Sequence, residues 1–254
     1  VALVPLAAAA ALAVFVVPAQ PAAAVVGGTA AAQGQFPAQL AITVSGRLRC
    51  GGALVGADTV VTTAGCVSGV NASSLQIVAG EWQLDQVSGT EQRRVVADVV
   101  IHPDYNAATH DSDLAVLHVS QPFVLNQSVA PITLVPQGSD PVPLLSGDIT
   151  TAGWGTTSEN GSPSNTLHSV QEPVIARTVC ALDYGLAVTG TMFCGGHEFV
   201  GGSGFCQGDE GGLAVINGRL AGLPSWHRGC ARPGSPDVYT RIGAFTNWIH
   251  THTT

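Results

Sequence analysis

Cys206-Gln207-Gly208-Asp209-Glu210-Gly211-Gly212 is the stretch on which the reading of this chain turns. Three glycines surround two adjacent carboxylates behind a cysteine, the composition of a loop. A second stretch, Val61-Thr62-Thr63-Ala64-Gly65-Cys66, places another glycine directly before another cysteine. The meaning of both loops depends on the chain around them.

From Val25 onward, short runs of Val, Ile, Leu, Thr and Tyr alternate with clusters of Gly, Pro, Ser and Asn. Leu40 to Val44, Thr59 to Thr63, Leu75 to Val78, Arg94 to Ile101, Leu114 to Val119 and Ile149 to Gly153 read as strands. Short strands at this spacing, without amphipathic helices between them, predict an all-β sandwich or barrel. The one helix expected is C-terminal, Ala244 to Thr251, where Phe245, Trp248 and Ile249 fall at helical spacing. Pro136 to Pro143 reads as a linker between two halves. No repeat of solenoid period is found.

The 254 residues suffice for one large all-β unit or two small domains. With 46% hydrophobic and 10% charged residues, the chain can fill a substantial core. The formal net charge is −8 and every basic side chain is Arg, which argues against nucleic acid or an anionic membrane as partner. Val1 to Val17 is almost wholly apolar, Pro18 to Pro21 breaks it, and Ala22-Ala23-Ala24 offers small residues for cleavage. Residues 1–24 therefore read as a signal peptide, and the mature protein is expected to be secreted and free of the membrane. Six cysteines in a secreted chain predict three disulfides, in one of about fifteen pairings. Asn71, Asn126 and Asn160 each open an N-x-Ser/Thr glycosylation triplet, the last weakened by Pro163.

Several motifs follow one another in an order that resembles the trypsin-like serine proteases. They are Val25-Val26-Gly27-Gly28, Cys50-Gly51-Gly52-Ala53-Leu54-Val55, Asp113-Leu114-Ala115-Val116-Leu117, Gly153-Trp154-Gly155, the Cys206 to Gly212 loop, Ser225-Trp226, and Gly229-Cys230-Ala231-Arg232-Pro233-Gly234. The resemblance runs from Val25 to about His252, and the Gly89 to Gln92 run looks most like invertebrate digestive trypsins. It implies two six-stranded antiparallel β-barrels with a short C-terminal helix and a cleft between the barrels. The N-terminal barrel would span about 25–140 and the C-terminal barrel about 141–254. It also implies the pairs Cys50–Cys66, Cys180–Cys194 and Cys206–Cys230.

Within this resemblance the reactive groups are missing. The histidine position holds Gly65 and the serine position holds Glu210, while Asp113 stands at the aspartate position. The chemistry needs a hydroxyl nucleophile, an imidazole to take its proton and a carboxylate to orient the imidazole. Attack by the Glu210 carboxylate on a peptide would give an anhydride, a poor intermediate. His110 could approach the space left by Gly65 but would have no nucleophile to activate; a loop histidine lining a peptide subsite is the other reading. A glycosidase-like pairing of Glu210 with Asp113 needs a separation that the sequence does not give. Glu210 as an inert, solvent-reaching replacement is the plainer alternative. His250 and His252 lack the cysteines or carboxylates of a metal site.

Other features of the resemblance are kept or altered. Gly208 and Asp209 preserve the oxyanion loop, and Asp209 would pair with a free α-amino group on Val25. Ala24 precedes Val25, so signal cleavage would create that terminus with no zymogen step. In the specificity pocket, Gly204 replaces the basic-selecting aspartate, Phe205 is bulky, Asp237 and His227 replace wall glycines, and Ser225 and Trp226 are retained. This reads either as a plugged pocket or as drift once cleavage was no longer needed. Glu81 and Glu91 match calcium-loop carboxylates, but a third such position is Ser88, so at most a weak Ca²⁺ site is expected, and no cofactor is required. The expectation is a secreted, monomeric, catalytically inactive homologue that binds a protein or peptide as cofactor, decoy or inhibitor. An active trypsin-like endopeptidase and a glycan- or surface-binding defence protein are the alternatives.

Overall fold

The strand signals of the sequence close into two barrels. The computed structural model describes residues 25–140 and 148–253. The signal-peptide expectation over residues 1–24, and the end of the expected linker from position 141 on, lie outside them.

The first barrel contains β2 (Gln39–Val44), β3 (Arg47–Leu54), β4 (Thr59–Thr62), β5 (Leu75–Ala79), β6 (Gln92–Ile101) and β7 (Ala115–Val119), closed in the order β2-β3-β4-β7-β6-β5. The second contains β8 (Asp148–Gly153), β9 (His168–Ile175), β10 (Met192–Gly195), β11 (Leu213–Ile216), β12 (Arg219–Trp226) and β13 (Asp237–Arg241). Its sheet runs β9-β10-β13-β12-β11-β8, and pairing of β8 back onto β9 closes it. The short β1 (Thr29–Ala30) crosses over to add to the edge of β9.

Side-chain alternation shows why these runs become strands. Leu75, Ile77 and Ala79 of β5 point into the main core, while Val78 packs on the other face with Ala41, Ala152 and Trp154, sealing barrel against barrel. Two tight hairpins set register. Ser45-Gly46 joins β2 to β3 and Asn217-Gly218 joins β11 to β12, each with both central residues at positive φ, the turn that matches strand twist.

The helices are short: α1 (Ala64–Val67), α2 (Arg177–Tyr184) and α3 (Thr246–Thr251). The C-terminal helix expected from Ala244 begins two residues later, because Ile242–Ala244 forms a 3₁₀ turn first. Phe245 and Trp248 then close around His102 of the first barrel at 4.9 and 4.8 Å, so the C-terminus straps the two halves together. The helix α2 is absent from the sequence expectation. It is held by burial of Cys180 and Tyr184 rather than by a long apolar stripe. The disulfides are Cys50–Cys66, Cys180–Cys194 and Cys206–Cys230, as the resemblance implied. The first closes a 16-residue separation. Such a loop contributes roughly 3 kcal/mol in the chain-entropy account.

Candidate functional site

The cleft between the barrels has a volume of about 400 Å³. Gly65 of α1, Asp113 just ahead of β7, Glu210 ahead of β11, and Ser225, Trp226 and His227 at the end of β12 all line it, together with Arg49, Thr63, His110 and the Cys50–Cys66 bridge. Residues far apart in sequence thus meet where the two barrels face one another.

Asp113 is buried, and both its oxygens are engaged. Oδ1 accepts the Gly65 N–H at 2.8 Å and Oδ2 accepts the Ser225 hydroxyl at 2.6 Å. Its backbone carbonyl accepts the Thr240 hydroxyl at 2.8 Å. Burial pushes its carboxyl above the usual range, and the Ser225 and Gly65 bonds oppose that shift. This carboxylate therefore holds the backbone of residue 65, which carries no side chain. The His110 Nδ1 lies 3.9 Å from Asp113 Oδ2, beyond hydrogen-bond reach, and its ring stacks near Trp226 at 6.5 Å. The histidine approaches Asp113 without hydrogen-bonding it.

Glu210 turns back on its own loop. Gly208 and Gly211 both sit at positive φ, and the Gly211 N–H is spent on the Pro224 carbonyl at 2.8 Å, which leaves the Gly208 N–H for a side chain. The Gly208 N–H donates to Glu210 Oε2 at 2.7 Å, and the carboxylate also draws on its own backbone N–H. The other oxygen, Oε1, lies 3.9 Å from His227 Nε2. Burial raises the Glu210 carboxyl, and nearby Asp113 adds to this, while the N–H bonds and His227 pull it down. The donors that would face an oxyanion therefore face a resident carboxylate. Glu210 is partly exposed at the cleft, but it is not simply solvated. The sequence contained no signal for this fold-back, because it depends on the loop's N–H directions.

Asp209 points the other way and is fully buried. Its oxygens accept the Gly155 N–H at 2.7 Å and the Cys206 N–H at 3.0 Å. A Cβ at Gly153 or Gly155 would collide with that carboxylate, which is why Gly-Trp-Gly stands there. Burial, with help from Glu210, pushes Asp209 up to about 7. Val25 is buried too. Val26 exchanges hydrogen bonds of 2.9 and 3.0 Å with Gly204, placing the N-terminal segment beside the Asp209 loop.

The predicted pocket residues divide. Ser225, Trp226 and His227 line the cleft, while Gly204, Phe205 and Asp237 lie behind it. Phe205 is fully buried and packs edge-on against Tyr239 at 5.2 Å and His227 at 5.4 Å. Asp237 fills the space beside Gly204, and its Oδ2 accepts the Phe205 N–H at 2.8 Å. Burial, then the neighbouring Glu172, hold Asp237 well above the usual carboxylate range. Glu172 itself is buried and accepts the Tyr239 hydroxyl at 2.9 Å. Buried beside Phe205 and absent from the cleft lining, Asp237 does not form the floor of the cleft.

The residues of the expected calcium loop do not fit the ion. Both Glu91 oxygens are taken by the Ser88 hydroxyl and N–H and by the Gly89 N–H, at 2.6 to 2.9 Å. Glu81 Oε2 lies 3.4 Å from Arg93, whose guanidinium brings the positive charge. Calcium takes about six to eight oxygens, and among the described residues no group of three or more His, Cys, Asp or Glu is arranged to hold a metal. His250 and His252 do not converge: His250 is exposed, and His252 folds onto Trp248 at 4.3 Å between rings. Asn71, Asn126 and Asn160 are all exposed.

The sequence profile described as Trypsin matches residues 25–249. Trypsin-1 of Astacus astacus is 37% identical, with 89% of this chain and 98% of that protein aligned. Trypsin of Sus scrofa is 35% identical over 89% of this chain and 94% of its own. A vitellin-degrading protease of Bombyx mori is 37% identical over 89% of this chain and 84% of its own.

Proposed function

Because this chain belongs to the trypsin family of serine proteases, we propose that it is a non-catalytic member that acts by binding a protein or peptide in a remodelled cleft. One observation carries the reading. The carboxylate at the nucleophile position accepts the Gly208 N–H at 2.7 Å, while the Gly65 N–H occupies the orienting aspartate at 2.8 Å. The Glu210 side chain is built into the hydrogen bonding of the site, and the Gly65 backbone holds Asp113 without supplying a base. Hydrolysis in this fold needs an O–H nucleophile, a base beside it and free donors for the oxyanion. Here the nucleophile position has a carboxylate, the base position has no side chain, and the loop donor is occupied.

The names of the relatives favour the second reading, an active endopeptidase. That reading requires a base and a nucleophile from outside the usual positions. His110 is 3.9 Å from Asp113 Oδ2 and His227 is 3.9 Å from Glu210 Oε1, and the Ser225 hydroxyl in the same cleft donates to Asp113 rather than to either histidine. The three disulfides support a secreted protein, since such bridges persist in oxidising compartments. We take it to act as a monomer. A fluorophosphonate probe, which reacts with activated serines, should leave the purified protein unlabelled. Stoichiometric labelling would overturn the non-catalytic reading.

A further inference from the structure

Loss of the side chain at residue 65 has left a space, and the neighbouring structure does not close it. A Cβ added to Gly65 would meet Tyr105 Oη at 3.4 Å and the Asp113 oxygens at 3.6 and 3.8 Å, ordinary contact distances with nothing closer. Beyond that point lies the open cleft, bounded by the Cys50–Cys66 bridge and the Trp226 ring. At its base sits Asp113, only 2% exposed.

The charges around this space are unbalanced. Each Asp113 oxygen has one neutral donor, from Gly65 and Ser225. The Ala64 N–H adds a third donor, so of about four acceptor directions one is left for a ligand. Glu210 lines the same cleft. Their histidine neighbours, His110 and His227, stay at 3.9 Å and complete no hydrogen bond. Arg49 lines the same cleft, but its Nε donates to the Cys66 carbonyl, so the two carboxyl groups share a recess in which no cation hydrogen-bonds either of them.

We propose that this recess is a subsite for a small planar organic cation of imidazolium size, seated beside Gly65 and paired with Asp113 and Glu210. The proposal rests on the non-catalytic reading, since a working base would already fill the space. Planarity follows from the flat Trp226 indole in the wall of the same cleft. A delocalised ring cation stacks on Trp226 and sheds its water more readily than an ammonium. Its source can be a free small molecule or a histidine side chain presented by a bound segment.

Calorimetric titration of imidazole into the purified disulfide-bonded protein, at roughly pH 6 where the ring is mostly protonated, tests this. Saturable one-to-one binding with a Kd on the order of 1 mM is expected for so small a ligand. Pyrazole, an uncharged ring of the same shape, should bind at least about tenfold more weakly, because it cannot pair with the carboxylates. That comparison uses the unaltered protein and is independent of any variant's folding. Gly65→His should also weaken imidazole binding by at least about tenfold, because its own ring takes the recess.

A peptide bearing one histidine, compared with its alanine counterpart, separates the sources. Tighter binding of the histidine peptide than of imidazole points to a presented side chain, and binding of imidazole alone points to a free cation. Absence of saturable imidazole binding, equal affinity for pyrazole, or unchanged affinity in Gly65→His would each overturn the subsite. The non-catalytic reading fails separately, if imidazole restores peptide hydrolysis while still binding.

Discussion

Chains that carry Ala24 ahead of Val25 should lose stability as pH rises, and chains that begin at Val25 should lose much less. Asp209 is fully buried and receives only two backbone N–H bonds, and its carboxyl is pushed from the ordinary 3.8 up to about 7. In the unfolded chain it ionises near its ordinary value, while in the folded chain it stays protonated much longer. The stabilising contribution is therefore whole below about pH 4 and disappears as pH climbs through about 7. A shift of about three units at 1.36 kcal/mol per unit amounts to about 4 kcal/mol. A free α-amino group on Val25, as the family resemblance implies, would pair with Asp209 and draw its carboxyl downward, removing that loss. Glu172 and Asp237 are also raised by burial, but they are common to both chains and cancel in the comparison. Urea denaturation of the two chains at about pH 5 and about pH 7.5 reads the difference directly. Between those two pH values the chain with Ala24 should lose about 2.5 kcal/mol relative to the chain starting at Val25, the rest of the total having gone below about pH 5. Parallel pH profiles for the two would refute the reasoning.

Ser225→Ala should destabilise the protein by about 2 kcal/mol in denaturant titration, because a buried carboxyl loses its hydroxyl donor; a change below about 0.5 kcal/mol would show that water substitutes freely. Calcium or a chelator should move the melting temperature by no more than about 1 °C, whereas a real site at about a hundred times its Kd would add about 2.7 kcal/mol. Gly65→His combined with Glu210→Ser should restore little or no cleavage after Arg or Lys, because His227 stands in the cleft and Asp237 is buried behind it beside Phe205. Robust cleavage by that double variant, followed with a chromogenic arginine peptide, would show the pocket to be open.

The fold was legible because its determinants are local. Alternation at Leu75, Ile77 and Ala79 and the Asn217-Gly218 turn are short-range signals, and each places a strand or a register. The central substitutions were legible because cysteines pin the register. Gly65 stands next to bridged Cys66, and Glu210 stands four residues after bridged Cys206. The helix α2 escaped notice because only Cys180 and Tyr184 of its eight residues are buried, too few to write a helical period. The crossing of β1 to the second barrel is a long-range pairing with no local mark. The behaviour of Glu210 depends on where Gly208 aims its N–H, and that of Asp237 on burial beside Phe205 and Glu172. Neither direction nor burial can be counted from residue types alone.

The non-catalytic account meets its most direct test in turnover itself. The purified protein beginning at Val25 is incubated with a peptide mixture that presents every residue type before the scissile bond, and products are followed by mass spectrometry. The account predicts cleavage indistinguishable from buffer, at every residue type and with no change on Glu210→Ala. Cleavage by the unaltered protein that disappears in Glu210→Ala would contradict it, by showing that the carboxylate held on Gly208 takes part in the reaction.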